Sequence, residues 1–249
     1  MLRLLGIAIM ATVLGTGSFF GAPSNTEAAD LSTFLAEVEE AGQAAAPARA
    51  DFRVRVQVQG ASERRYEGAV AYTGANVYVE MGEPMVRARM RGEETEALVG
   101  AAVGGEWKRG TAYDALGDTS LIADDFRPFR VATLKTPQIV SETKQTILVS
   151  GAPAEPSPWV LLVHLFDRDK LRPVRTQYYE RTINNMVRMR RDGDLVRVGS
   201  VWRPRRIEVE DYRVGTSTTV ELDWQPSPTL PAGLFDGGAG TIPSLRKQP

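Results

Sequence analysis

Residues 51–59 read Asp51-Phe52-Arg53-Val54-Arg55-Val56-Gln57-Val58-Gln59, with apolar and polar side chains in strict alternation. Successive side chains of a strand point to opposite faces. Phe52, Val54, Val56 and Val58 therefore share one face, while Arg53, Arg55, Gln57 and Gln59 share the other. One buried and one wet face mark an antiparallel sheet, because parallel sheets are covered on both sides. The rest of the chain has to supply the partners of this strand and a cover for its apolar face.

Partners follow in quantity. Val70-Ala71-Tyr72 and Asn76-Val77-Tyr78-Val79-Glu80 flank Thr73-Gly74, and weaker strand patterns run over 85–90, 97–99 and, after Gly104-Gly105, 106–109. Strands resume at 145–149. Residues 159–166 are apolar on both faces except for His164, so either face could point inward. Further strands are expected over 171–179, 182–190, 194–200, 205–214 and 216–224, where Val220, Leu222 and Trp224 alternate with Glu221 and Asp223. Gly-containing turns between consecutive strands favour a meander over alternating βα units.

The cover is less abundant. Leu31, Phe34, Leu35 and Val38 recur at spacings of three and four and predict one amphipathic helix over 31–40, unlikely to continue beyond Pro47. A short helix is expected within 118–126, before Pro128. The chain has 249 residues, enough for one large domain. Leu4 to Ala22 is uncharged and mostly apolar behind Arg3, and small residues lead to Ala28-Ala29, which reads as a secretory signal peptide cleaved after Ala28 or Ala29. That leaves 30–249 as a single domain with a loose C-terminal end around Gly237-Gly238-Ala239-Gly240.

Thirty Lys+Arg against 31 Asp+Glu give a net charge of −1, which argues against a nucleic-acid groove. No Cys and one His remove thiol chemistry, disulfides, thiolate zinc sites and multi-histidine metal clusters. His164 reads as a structural or pocket-lining residue, Asp124-Asp125 as capping or solvated, and Gly104-Gly105 as a hairpin turn. No convergent acid–base set emerges, so no enzyme, metal or cofactor is expected. Arginines sharing strand faces, Arg53 with Arg55, Arg87 with Arg89 and Arg91, and Arg188 with Arg190, read as solvated outer faces or as a rim for an anionic head or polar chain end.

The order of these features resembles the outer-membrane lipoprotein-sorting protein family. Leu116-Gly117-Asp118-Thr119-Ser120-Leu121-Ile122-Ala123-Asp124-Asp125-Phe126 is similar to its Gly-(Thr/Ser)-Asp box, with the order Gly-Asp-Thr here. Pro173-Val174-Arg175-Thr176-Gln177-Tyr178-Tyr179 resembles its return strand, and Trp202-Arg203-Pro204-Arg205-Arg206-Ile207-Glu208-Val209 its Trp-x-Pro strand. Thr218-Thr219-Val220-Glu221-Leu222 is similar to its threonine-led strand. Leu230-Pro231-Ala232-Gly233-Leu234-Phe235 resembles its Leu-Pro-Asp-x-Leu-Phe ending, with Ala232 in place of Asp.

The resemblance implies a mainly β, LolA-like fold: an open, unclosed antiparallel β-barrel or half-barrel wrapped around few helices. It further implies a non-enzymatic, monomeric periplasmic carrier whose apolar cavity takes acyl chains of lipoproteins or another envelope lipid. An inner-membrane transporter and an outer-membrane acceptor are the implied partners. The candidate cavity residues are Phe52, Val54, Val56, Val58, Val77, Val79, Trp159, Leu161, Val163, Tyr178, Val220, Leu222 and Trp224. Ile122 and Phe126 are assigned to a lid, and Arg53 or Arg55 to a polar rim. A periplasmic sensor or scaffold of the same fold, binding a protein instead, is the alternative.

Overall fold

The computed structural model describes residues 25–43, 47–82, 86–91, 97–100, 107–154, 157–226, 228–235 and 244–245. The apolar segment 4–22, Gly104-Gly105 and the 237–240 run lie outside them. Helix α1 spans Asn25–Gln43 and is followed by β1 (Ala48–Val58), β2 (Arg64–Thr73), β3 (Asn76–Met81), β4 (Val86–Met90), β5 (Ala97–Gly100) and β6 (Trp107–Gly110). After two 3₁₀ turns, Ala123–Phe126 and Val131–Thr133, come β7 (Leu134–Glu142), β8 (Thr146–Pro153), β9 (Leu161–Asp167), β10 (Arg172–Tyr179), β11 (Met186–Val198), β12 (Val201–Asp211) and β13 (Thr216–Pro226).

Eleven strands form one antiparallel sheet in the order β4-β3-β2-β1-β13-β12-β11-β10-β9-β8-β7. The alternating strand β1 lies inside it, paired with β2 through Phe52↔Gly68 and with β13 through Phe52↔Leu222. The ends of the sheet, β4 and β7, are not joined to each other among the described residues, so the barrel is open. Strands β5 and β6 form a separate hairpin. This is the mainly β, open architecture expected from the sequence.

Two covers divide the inner face of the sheet. Helix α1 lays Leu31, Leu35 and Val38 against Ile147 and Val149 of β8 and Phe166 of β9. Phe34 meets Phe166 edge-on, with ring centroids 5.6 Å apart. Over the other half lies the segment before β7, whose Leu116, Leu121, Ala123 and Phe126 pack on Phe52, Val54, Val56, Val77, Val79 and Val220. Glu39 of α1 accepts a hydrogen bond from the Val131 amide at 2.9 Å, tying the covers together.

The C-terminal motif has a structural role. Leu234 and Leu245 are buried on the outer face against Ala69, Ala71 and Tyr78, with Leu230 and Phe235 beside them. Ser244 donates to the buried Glu80 carboxylate at 2.9 Å. Leu230, Leu234, Phe235 and Leu245 thus pack on β2 and β3.

Candidate functional site

Between the two covers the inner face encloses a cavity of about 360 Å³. Its position follows from the covers: α1 spans one side and the 112–126 segment the other, and the cavity lies between them. Tyr72, Phe129, Leu162, Tyr178, Leu222 and Trp224 supply aromatic and aliphatic wall. Such a volume lies at the small end of the ~300–1,000 Å³ usual for ligand pockets.

The 112–126 segment is held down by polar contacts as well as packing. Arg188 of β11 forms a fully buried ion pair with Asp125 and donates to the Ser120 carbonyl at 3.2 Å. Asp125 also accepts from the Ile122 amide at 2.8 Å, fixing the 3₁₀ turn. The Tyr72 hydroxyl donates to the Phe126 carbonyl at 2.8 Å. The Ser120 hydroxyl lies 2.8 Å from the Thr218 hydroxyl of β13, and Tyr66 donates to Asp118 at 2.7 Å. Phe126 stacks on Phe52 at 5.6 Å.

The cavity floor is cationic. Arg172 and Arg190 share a single carboxylate, Asp192: Arg190 donates to it at 2.7 and 2.9 Å, and Arg172 bonds it from the other side. Arg172 is further fixed by the Trp202 carbonyl at 2.6 Å. Arg203 is 5% exposed and lies beside two adjoining rings, 4.0 Å from the Tyr72 centroid and 5.1 Å from that of Trp224. The Trp224 indole is itself held by the Pro204 carbonyl at 2.7 Å. His164 lines the same space, its Nδ1 3.0 Å from the Thr176 hydroxyl. Burial and then the charge of Arg190 depress its pKa from 6.5 to about 4, so the ring is neutral at neutral pH.

The residues singled out from the sequence fall into four groups. Tyr178, Leu222, Trp224 and Phe126 line the cavity. Phe52, Val54, Val56, Val77, Val79 and Val220 form close-packed core under the 112–126 segment, with Val58 at its margin and Ile122 buried in the segment itself. Trp159 packs on Tyr178 at 5.2 Å just before β9. Leu161 and Val163 take the opposite face, since alternation gives Leu162 and His164 to the cavity and Phe166 to α1.

Arg53 and Arg55 are exposed on the outer face, the solvated of their two readings, because Phe52, Val54 and Val56 take the inner positions; Arg55 pairs with Glu221 at 2.7 Å. One arginine reading is corrected: Arg188 and Arg190 are inner-face residues, contacting the 112–126 segment and lining the cavity respectively, rather than a solvated surface. Arg172, Asp192 and Arg203 were not singled out as site residues by the sequence reading. Among the described residues no group of three or more His, Cys, Asp or Glu is placed to hold a metal ion, and no helix is long and apolar enough to cross a membrane.

No protein-family model and no curated protein sequence matches the chain. Solved structures do. A DUF1329 family protein from Desulfovibrio piger superposes with a TM-score of 0.68 at 12% identity, over 82% of this chain and 95% of that one. A LolA superfamily protein from Nitrosomonas europaea gives 0.63 at 16%, over 82% and 96%. An outer membrane lipoprotein-sorting protein domain from Vibrio parahaemolyticus gives 0.60 at 13%, over 81% and 94%. At these identities the likeness is one of fold: the chain has the open half-barrel of LolA-like proteins, as the motifs implied.

Proposed function

We propose that the protein is a non-enzymatic periplasmic carrier that holds acyl chains of a lipoprotein or another envelope lipid beneath its helical cover and passes them toward the outer membrane. The observation that carries this reading is the cavity itself, placed between two covers on the inner face and walled by Tyr72, Phe129, Leu162, Tyr178 and Trp224. Burying an acyl chain gains roughly 0.8 kcal/mol per methylene, so about ten buried carbons are needed for micromolar affinity. A longer chain needs more room than the closed cavity offers. Lifting the 112–126 segment exposes Phe52, Val54, Val56, Val77 and Val79 as a continuous apolar floor. Loading and release then depend on an inner-membrane transporter and an outer-membrane acceptor that favour the open form, with no bond broken in the cargo.

Native mass spectrometry of the mature protein, purified from periplasm without detergent and followed by lipid extraction, tests this. A stoichiometric acyl-containing adduct is expected. A clean apo mass that persists after incubation with envelope lipids and lipoprotein overturns the carrier reading and favours a protein-binding sensor of the same fold.

A further inference from the structure

We propose that Arg203 binds the oxyanion head of an anionic amphiphile, which makes the preferred cargo a phosphate- or carboxylate-headed lipid rather than a neutral acylated polypeptide. The inference deepens the carrier reading and rests on it.

The argument starts from charge balance in a buried place. Seven of the residues lining the cavity are Lys or Arg and three are Asp. Two of the three acidic groups there have partners, Asp125 being matched by Arg188 and Asp124 lying 3.4 Å from Arg127, while Asp169 is exposed. Asp192, just behind the lining, serves both Arg172 and Arg190, so that trio keeps one positive charge. Arg203 adds a second charge with no carboxylate beside it among the described residues. Its Nε and Nη2 atoms are buried without a hydrogen-bond partner. The charged neighbour that acts on it is Arg172, of its own sign.

A buried guanidinium without a counter-ion is costly, since both its hydration and its donors go unreplaced. The rings of Tyr72 and Trp224 offset part of that cost and hold the planar group in place. They accept none of its in-plane N–H groups. A fork of donors held beside aromatic walls matches two oxygens of a phosphate or carboxylate, where the bond is charge-assisted. Burial lowers the pKa of Arg203 from its usual value, as expected for a cation whose partner has yet to arrive. His164 presents a second unsatisfied atom in the same cavity, its buried Nε2. The aliphatic and aromatic wall on the same space takes the tail.

The test compares dodecyl phosphate, dodecanol and inorganic phosphate by titration calorimetry on the mature protein and on Arg203→Met and Arg203→Lys. Dodecyl phosphate is expected to bind roughly tenfold or more tightly than dodecanol, the range of a hydrogen bond to a charged group. Arg203→Met is expected to close that gap, and Arg203→Lys to keep part of it. The Met variant should melt no lower than the parent, because it removes an unpaired buried charge. A large drop in its Tm overturns the proposal by making Arg203 a packing residue. Equal affinity of the parent for dodecyl phosphate and dodecanol overturns the headgroup site and leaves the carrier standing. Inorganic phosphate binding as tightly as dodecyl phosphate overturns the lipid assignment in favour of a free anion. Binding of none of the three overturns the carrier reading and this inference with it.

Discussion

A Cβ on Gly68 would lie 2.3 Å from the Phe52 ring and 2.4 Å from the Glu80 carbonyl oxygen, so the ring occupies space that any other residue would need. Phe52 uses that gap to reach Phe126 in the lid segment, which makes one missing side chain a condition for the contact between sheet and lid. Gly68→Ala is expected to cost about 1–3 kcal/mol through overpacking, read as a lower urea midpoint. Phe52→Leu should recover part of the loss in that background; an unchanged midpoint for Gly68→Ala would show that the ring is not pinned. His164 carries a pH signature. Its pKa falls from 6.5 to about 4 on folding, so between those values the unfolded chain binds a proton that the folded one excludes. Stability therefore drops as pH falls from 6.5 toward 4, and the loss levels off below that. At 1.36 kcal/mol per unit the full effect is roughly 3 kcal/mol. As the chain has one His, His164→Gln should flatten the urea-derived stability profile across that window by a similar amount. A slope identical in both proteins would refute it.

The 112–126 segment is short and largely irregular, and its placement depends on the pair formed by Arg188 and Asp125, both fully buried. Removing one partner leaves the other as a buried charge, so Arg188→Met or Asp125→Asn should destabilise by about 3–5 kcal/mol. Amide exchange over 112–126 should accelerate more than over β8 and β9. The double variant Arg188→Met/Asp125→Leu should regain most of the stability, since a packed apolar pair replaces two charges; failure to regain it would mean the pair also organises the segment. The elements differ in how plainly their residues announce them. β1 and β13 were legible because each has one apolar and one polar face. β7 was missed: Pro137 and the polar residues around it suit an edge strand, where a lost donor is harmless, and β7 carries no continuous apolar stripe. β11 was read as two strands, because Asp192-Gly193-Asp194 has the composition of a turn. It runs through because β12 pairs along it, Gly193 lying opposite Arg206, and because Asp192 is engaged by two arginines.

Cover decides the character of the inner face more than the strands do. Alternation identified Phe52, Val54, Val56, Val77 and Val79 as inward, yet the lid segment rests on them and turns that half of the sheet into packed core. The open half of the site is built from arginines, and an arginine on a strand looks solvated until the residues that roof it are known. That is why Arg172 and Arg203 were illegible as a site, although Arg172 stood in an expected strand and Arg203 in the Trp-x-Pro motif, and why Arg190 was read as a solvated face or a rim. The same geometry makes opening of the lid testable. The Ser120 and Thr218 hydroxyls lie 2.8 Å apart, one on the lid segment and one on β13, in a chain without cysteine. Ser120→Cys/Thr218→Cys places two thiols within reach of a disulfide that clamps the segment to the sheet. If long chains enter by displacing the lid, the oxidised variant should lose uptake of a fluorescent hexadecanoyl probe while the reduced one retains it. Short dodecyl ligands confined to the existing cavity should bind both forms alike. Equal uptake of the long probe by both forms would place entry through the cavity mouth between α1 and the 112–126 segment, with the lid a fixed wall.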